Sequence, residues 1–187
     1  MGLSPRANPA ALATRQHNVT RILVGKFGCA CLHLEVHLPH LSAFAKHPIY
    51  YFTAATEARA HVLADQAVFN CLTETWKKSA ELDGWSVGRF VILPDHLHLF
   101  ASPSEDAKAR SQWIKMWKSV SARRLAREIG LTLPLWQPDT FDHILRDANS
   151  YGAKWEYVRN NPVRHGYVKR AEDWPWQGEI NSFEFED

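Results

Sequence analysis

Leu93-Pro94-Asp95-His96-Leu97-His98-Leu99-Phe100 is a turn entering a strand, with two histidines at the strand's start. Proline followed by aspartate is turn chemistry, because proline presets φ and aspartate bonds its own backbone two residues on. Residues 85–93 before it and 96–101 after it are rich in β-branched, aromatic and aliphatic side chains. Two such runs joined by a tight turn form an antiparallel hairpin.

Working outward, Ile49-Tyr50-Tyr51-Phe52-Thr53 follows Pro48 and is expected to be the first strand. Ala60, Leu63, Ala64, Ala67, Val68, Cys71, Leu72 and Trp76 recur at spacings of three and four, which predicts a long amphipathic helix ending before Asp83-Gly84. Ser104 or Asp106 is positioned to cap a second helix running to Ile129. Its buried stripe would be Trp113, Trp117, Val120, Leu125 and Ile129, with Gly130 as its stop. A proline-containing connection then leads to a short strand or turn at residues 141–146. A third helix from about Asn149 runs to Asn161, where Pro162 ends it. The order βαββα, then strand and helix, is an α+β plan with helices packed on one face of an antiparallel sheet.

At 187 residues and 45% hydrophobic composition the chain is long enough for one domain with a proper core. Net charge is only +2, but it is unevenly spread. Residues 106–130 hold seven Lys or Arg against two acids, 145–170 six against two, and 171–187 six acids and no base. Three cysteines, Cys29, Cys31 and Cys71, are an odd number in a chain too large to need disulfides, which fits a reducing compartment, the bacterial cytoplasm. No stretch approaches the ~18 apolar residues of a membrane span. Residues 1–46 are an N-terminal extension with a flexible start, 47–176 the main domain, and 177–187 an acidic tail. Within the extension, Cys31, His33, Glu35 and His37 alternate with Leu32, Leu34, Val36 and Leu38. That pattern is either an edge strand or a metal site at Cys31, His33 and His37. Without a second cluster at zinc-finger spacing the strand is favoured.

Side chains two apart on a strand share a face, so His96 and His98 converge while Leu97 points into the core. Two imidazoles so placed can hold one cation, although ten histidines make such a pair easy to meet by chance. In Trp155-Glu156-Tyr157-Val158-Arg159-Asn160-Asn161-Pro162-Val163, Tyr157 and Asn161 are one helical turn apart, so the asparagine can serve as a third ligand beside the phenol. A tyrosine becomes a nucleophile once a base or metal-organised site helps it lose its proton, and its natural electrophile is a phosphodiester. Tyr151 and Tyr167 are rival nucleophiles without a paired ligand. Lys115, Lys118, Arg123, Arg124 and Arg127, with Arg159, Arg164, Lys169 and Arg170, suit either DNA phosphates or a solvated face. Trp113 and Trp117 are core, or bases stack on them.

The run Val91-Ile92-Leu93-Pro94-Asp95-His96-Leu97-His98-Leu99 resembles the REP-associated tyrosine transposases, which carry a His-hydrophobe-His motif and a single tyrosine. So do Phe141-Asp142-His143-Ile144-Leu145-Arg146-Asp147, Tyr157-Val158-Arg159-Asn160-Asn161-Pro162-Val163-Arg164-His165-Gly166 and Asp173-Trp174-Pro175-Trp176, in the same order and spacing. The resemblance implies a ferredoxin-like fold, Mg²⁺ or Mn²⁺, and cleavage and joining of single-stranded DNA at palindromic hairpins through a 5′-phosphotyrosine. It makes Tyr157 the nucleophile and His96 and His98 the metal ligands. Asn161 stands where related transposases have glutamine, and His143 and Arg146 take supporting places. Paired imidazoles equally suit Zn²⁺ or Ni²⁺, so the choice of ion comes from the resemblance. A non-catalytic nucleic-acid binder of the same fold, and a metal-dependent phosphoesterase using water, are the competing functions. Whether the protein is a monomer or a homodimer is open at this point.

Overall fold

A computed structural model describes residues 48–183. The expected strand at 31–38, with Cys31, His33 and His37, lies outside them.

A five-stranded antiparallel sheet forms the centre, in the order β4-β1-β3-β2-β5. β1 (Ile49–Ala55), β2 (Trp85–Ile92) and β3 (His96–Pro103) carry the aromatic and β-branched runs. β4 (Phe141–Leu145) and β5 (Gln177–Glu179) are its edges. β2 and β3 pair as the expected hairpin, closed where Leu93 N–H donates to the His96 carbonyl at 2.8 Å. The register shifts between Val87 and Phe90, a bulge that includes Gly88. A Cβ on Gly88 would lie 2.5 Å from a Phe183 ring carbon, so any larger residue there must displace that ring.

β5 belongs to the segment expected as an acidic tail. Gln177–Glu179 pairs with β2, and the Asn181 N–H and side-chain amide both donate to the Val87 carbonyl. Three residues of Gln-Gly-Glu offer no apolar alternation, so no strand signal was present.

α1 (Gln66–Lys77) is shorter than its periodicity suggests. Asp65 caps it, its carboxylate accepting from Ala67 N–H at 2.7 Å and Val68 N–H at 3.3 Å. Upstream, Ala58 and Arg59 adopt positive φ, which breaks any helix there. Leu63 nevertheless fills the core from the loop, its N–H donating to the Pro94 carbonyl. After the short α2 (Ser79–Asp83), α3 (Arg110–Ile129) starts later than either expected cap, at Ala109, and ends at Gly130 with φ +71°. Trp113, Trp117, Ser121 and Leu125 form its buried stripe at spacings of four.

α1 and α3 share one sheet face with Phe52, Leu97, Leu99 and Phe90. The α+β, antiparallel expectation is met, but the helices are not confined to that face. α4 (Ala148–Arg159) packs Tyr151 and Val158 against Ile49, Tyr51, Val91 and Phe100 on the other. Asp147 and Ser150 form its capping box. Nor does Pro162 end this helix. The chain turns at Asn160 and restarts as α5 (Asn161–Arg164), with proline in the first turn, where a missing N–H costs nothing. Trp113 and Trp117 are buried in the first core, Trp113 stacked on Trp85 at 4.6 Å, so the base-stacking alternative for them falls away. Among the described residues no helix is long and apolar enough to cross a membrane.

Candidate active site

Sheet parity builds the site. His96 and His98 lie opposite Ala55 and Thr53 of β1, on the face that α4 covers. Both are buried, and their rings stand edge to face with centroids 4.9 Å apart. Two imidazoles ligating one ion at ~2.1 Å have centroids ~5 Å apart, so the spacing suits a shared cation.

Each Nδ1 is held. That of His96 lies 2.6 Å from Asp95 Oδ1, while Asp95 Oδ2 accepts from Arg59 Nε at 2.9 Å. That of His98 meets the Tyr51 hydroxyl at 2.8 Å and Thr53 Oγ1 at 2.9 Å, and the Tyr51 ring stacks on the imidazole. A second ligand shell of this kind fixes ring orientation and leaves Nε2 as the ligating nitrogen. Burial pulls both histidines down, His98 to about 3, with the His96 charge adding to the effect; Asp95 partly offsets the shift at His96. Neutral rings keep the lone pair a metal needs. Burial would raise Asp95, but the hydrogen bond with His96 and the charge of Arg59 work against it and the carboxyl lies below its usual range.

Tyr157 is half exposed on the last turn of α4, whereas Asn161 is buried in α5. The expected shared helical face is therefore replaced by a break at Asn160, which sends the two side chains into different surroundings. The Asn161 side-chain amide nitrogen is buried without a hydrogen-bond partner; as a donor it cannot ligate a cation, so any metal contact would fall to the amide oxygen. His165, just after α5, brings its ring to 6.3 Å from that of His96. Among the described residues no group of three His, Cys, Asp or Glu could hold an ion, so the histidine pair needs amide, water or substrate oxygens beside it.

The Tyr157 ring has the Arg164 guanidinium 4.5 Å from its centroid and Lys154 Nζ at 5.7 Å; Lys154 also lies 5.1 Å from the Tyr51 ring. Lys154 thus links the exposed phenol to the residues behind His98. Hydrogen bonding from Arg164 and then its charge hold Tyr157 below the usual 10, with Lys154 adding to it. The rivals fare differently. Burial pushes Tyr151 up to about 12, and Tyr167 is stacked on Trp174 at 5.4 Å.

His143 lies opposite Tyr51 on β4, hence on the histidine face, and is exposed. With Arg146, Arg110, Asp142 and Ser150 it lines a depression of about 520 Å³. Of the basic helix, Lys115, Arg123 and Arg127 are exposed. Lys118 is not a surface cation. Its ammonium is buried and donates to the Gln137 and Asp139 carbonyls and to Thr140 Oγ1. Arg124 turns to Glu74 and Glu128, and Arg159 pairs with Glu156. Sequence reasoning passed over Tyr51 and Thr53 because an aromatic strand looks like plain core. Only the register against β3 reveals their second role.

The family model of IS200-like transposases matches residues 45–160, more than half the chain and every element that builds this site up to the tyrosine helix. The chain belongs to the IS200-like transposase family. The chain is 31% identical over 93 residues to a REP-associated tyrosine transposase of Escherichia coli (strain K12), a match covering 49% of this chain and 53% of that protein. It is 27% identical over 142 residues to a putative REP-associated tyrosine transposase of Haemophilus influenzae, covering 71% and 80%. The chain thus spans about half the length of the first relative and most of the second. A solved REP-associated tyrosine transposase bound to a REP hairpin has the same fold, with TM-score 0.60 at 21% identity over 75% of this chain and 91% of that one.

Proposed function

We propose that this transposase cleaves and rejoins single-stranded DNA at palindromic hairpin elements through a covalent 5′-phosphotyrosine at Tyr157. The observation that carries the proposal is the pairing of two buried, neutral imidazoles, each locked through Nδ1, with an exposed phenol flanked by cations. Buried neutral ligands suit a structural task, holding an ion; an exposed phenol of lowered pKa suits attack on a large substrate.

His96 and His98 would hold a divalent cation, Mg²⁺ or Mn²⁺, with Asn161 as the third protein ligand. When bound, such an ion supplies polarisation and orientation of the scissile phosphate. Tyr157 forms the bond to phosphorus and releases a 3′-hydroxyl. Asp95, Tyr51 and Thr53 keep the imidazoles in one orientation. Lys115, Arg123 and Arg127 on α3, with Arg146 beside β4, supply cations for the phosphate backbone. The hairpin seen bound to the structural neighbour is the model for the substrate.

The test is a denaturing gel of a hairpin oligonucleotide with a single-stranded flank, incubated with Mn²⁺. Wild type yields a covalent protein–DNA adduct and Tyr157→Phe yields none. His96→Ala and His98→Ala lose the adduct while keeping most of the binding. An adduct in Tyr157→Phe overturns the nucleophile, and binding by wild type without adduct under any divalent cation makes the protein a non-catalytic binder.

A further inference from the structure

Tyr157 is flanked by cations from two different elements, Lys154 on its own helix and Arg164 across the break at Asn160. A cation over an exposed tyrosine face is worth only about 0.5–1 kcal/mol, too little to explain α5 as a stabilising device. The nearby acid Glu156 is engaged with Arg159, so neither Arg164 nor Lys154 is drawn to the ring by it. What the pair of cations does offer is a place for negative charge at the phenol oxygen.

We propose that Arg164 is the charge partner of the Tyr157 hydroxyl, stabilising the negative charge this oxygen carries when it attacks phosphorus and again when it departs. The proposal rests on Tyr157 being the nucleophile. In cleavage the phenol gives its proton to solvent, an Oη lone pair forms the bond to phosphorus, and the P–O3′ bond breaks with its electron pair, the 3′-oxygen taking up a proton. In rejoining, a 3′-hydroxyl forms the new P–O bond and loses its proton to solvent, and Tyr157 leaves as phenolate against the guanidinium. One cation in both directions eases both steps without trapping the adduct.

The groups acting on Tyr157 agree with this assignment. Arg164 is the largest influence holding the phenol below 10, and Lys154 adds to it. Tyr51, the other phenol nearby, is kept neutral by burial, so it does not oppose a Tyr157 phenolate. Arginine suits the role because its guanidinium, 4.5 Å from the ring centroid here, stays charged at every working pH and carries several N–H donors.

The experiment compares wild type, Arg164→Gln and Arg164→Lys, each with a Tyr157→Phe counterpart. Tyrosinate absorbance is followed in a pH titration without DNA, and the difference from the counterpart isolates Tyr157. Its ionisation moves to higher pH in Arg164→Gln and part of the way back in Arg164→Lys. On the hairpin oligonucleotide, adduct formation at neutral pH falls about 10-fold in Arg164→Gln and recovers as pH rises, a tenfold rate per unit of phenol pKa. DNA affinity in the Tyr157→Phe background changes less than ~3-fold, well under 1.4 kcal/mol. An unmoved phenol titration overturns the proposal, as does a loss of adduct matched by an equal loss of affinity, which would make Arg164 a phosphate contact. Absence of adduct from wild type defeats the nucleophile reading instead, and the titration alone then decides whether Arg164 governs Tyr157.

Discussion

Replacing Lys118 with methionine separates two accounts of the basic helix. The Lys118 ammonium donates to Gln137 O and Thr140 Oγ1 at 2.7 Å and to Asp139 O at 3.1 Å, from a side chain only 7% exposed. It thereby pins the connection after α3, whose Leu135 carbonyl accepts from Glu57 N–H and whose Gln137 N–H donates to the Ala55 carbonyl. Methionine has similar volume and no donor. Hydrogen bonds to charged groups contribute about 1.5–3 kcal/mol each, but these acceptors are part-exposed and water replaces some bonds, while the cost of burying an ammonium disappears. The expected net loss is about 2–3 kcal/mol, or roughly 6–9 °C in Tm for a domain of this size. Urea and thermal unfolding followed by tryptophan fluorescence measure it. Below the transition, hairpin affinity should keep the wild-type salt dependence. A stability change under ~0.5 kcal/mol together with a salt slope reduced by about one phosphate would refute the reasoning and return Lys118 to the DNA-binding set.

The same residue predicts a pH effect. Burial lowers Lys118 from 10.5 to about 8, with Asp139 pulling the other way. Between those values the unfolded chain holds a proton the folded protein has lost, so wild type should gain stability over Lys118→Met as pH rises through that window; denaturant midpoints across it give the comparison. Asp95→Asn should weaken Mn²⁺ binding about 10–100-fold by calorimetry, and unchanged affinity would remove its part in orienting His96. Lys115→Ala, Arg123→Ala and Arg127→Ala combined should reduce the salt slope of hairpin binding by about 2–3 at nearly constant stability, and an unaltered slope would exclude that helix face from the DNA path. Trp113→Ala should cost about 3–5 kcal/mol in chemical denaturation, since the ring is fully buried against Trp85; a loss under ~1 kcal/mol would contradict the packing.

What could be foreseen depended on how far apart the interacting residues lie in the chain. The hairpin around Pro94-Asp95 and the shared face of His96 and His98 follow from nearest-neighbour chemistry, and both hold in the structure. The start of α1 departs from the periodicity because Leu63 keeps the helical spacing while its backbone is already in a loop, held by the Pro94 carbonyl. Lys118 resembles its basic neighbours in sequence. Only the returning connection, 19 to 22 residues on, turns it inward. Tyr51 and Thr53 enter the site through pairing with a strand over forty residues away.

The break at Asn160 bears on what happens once DNA is attached. An uninterrupted helix would have made Tyr157 and Asn161 successive rungs of one rod, so that a load on the first pulled on the second. As built, Tyr157 sits on the last turn of α4, while Asn161 is buried on the next segment, so a DNA end joined at the proposed nucleophile would load α4 and not α5. On the proposed function, the point of DNA attachment and the residue offered as third metal ligand would thus belong to two separate segments.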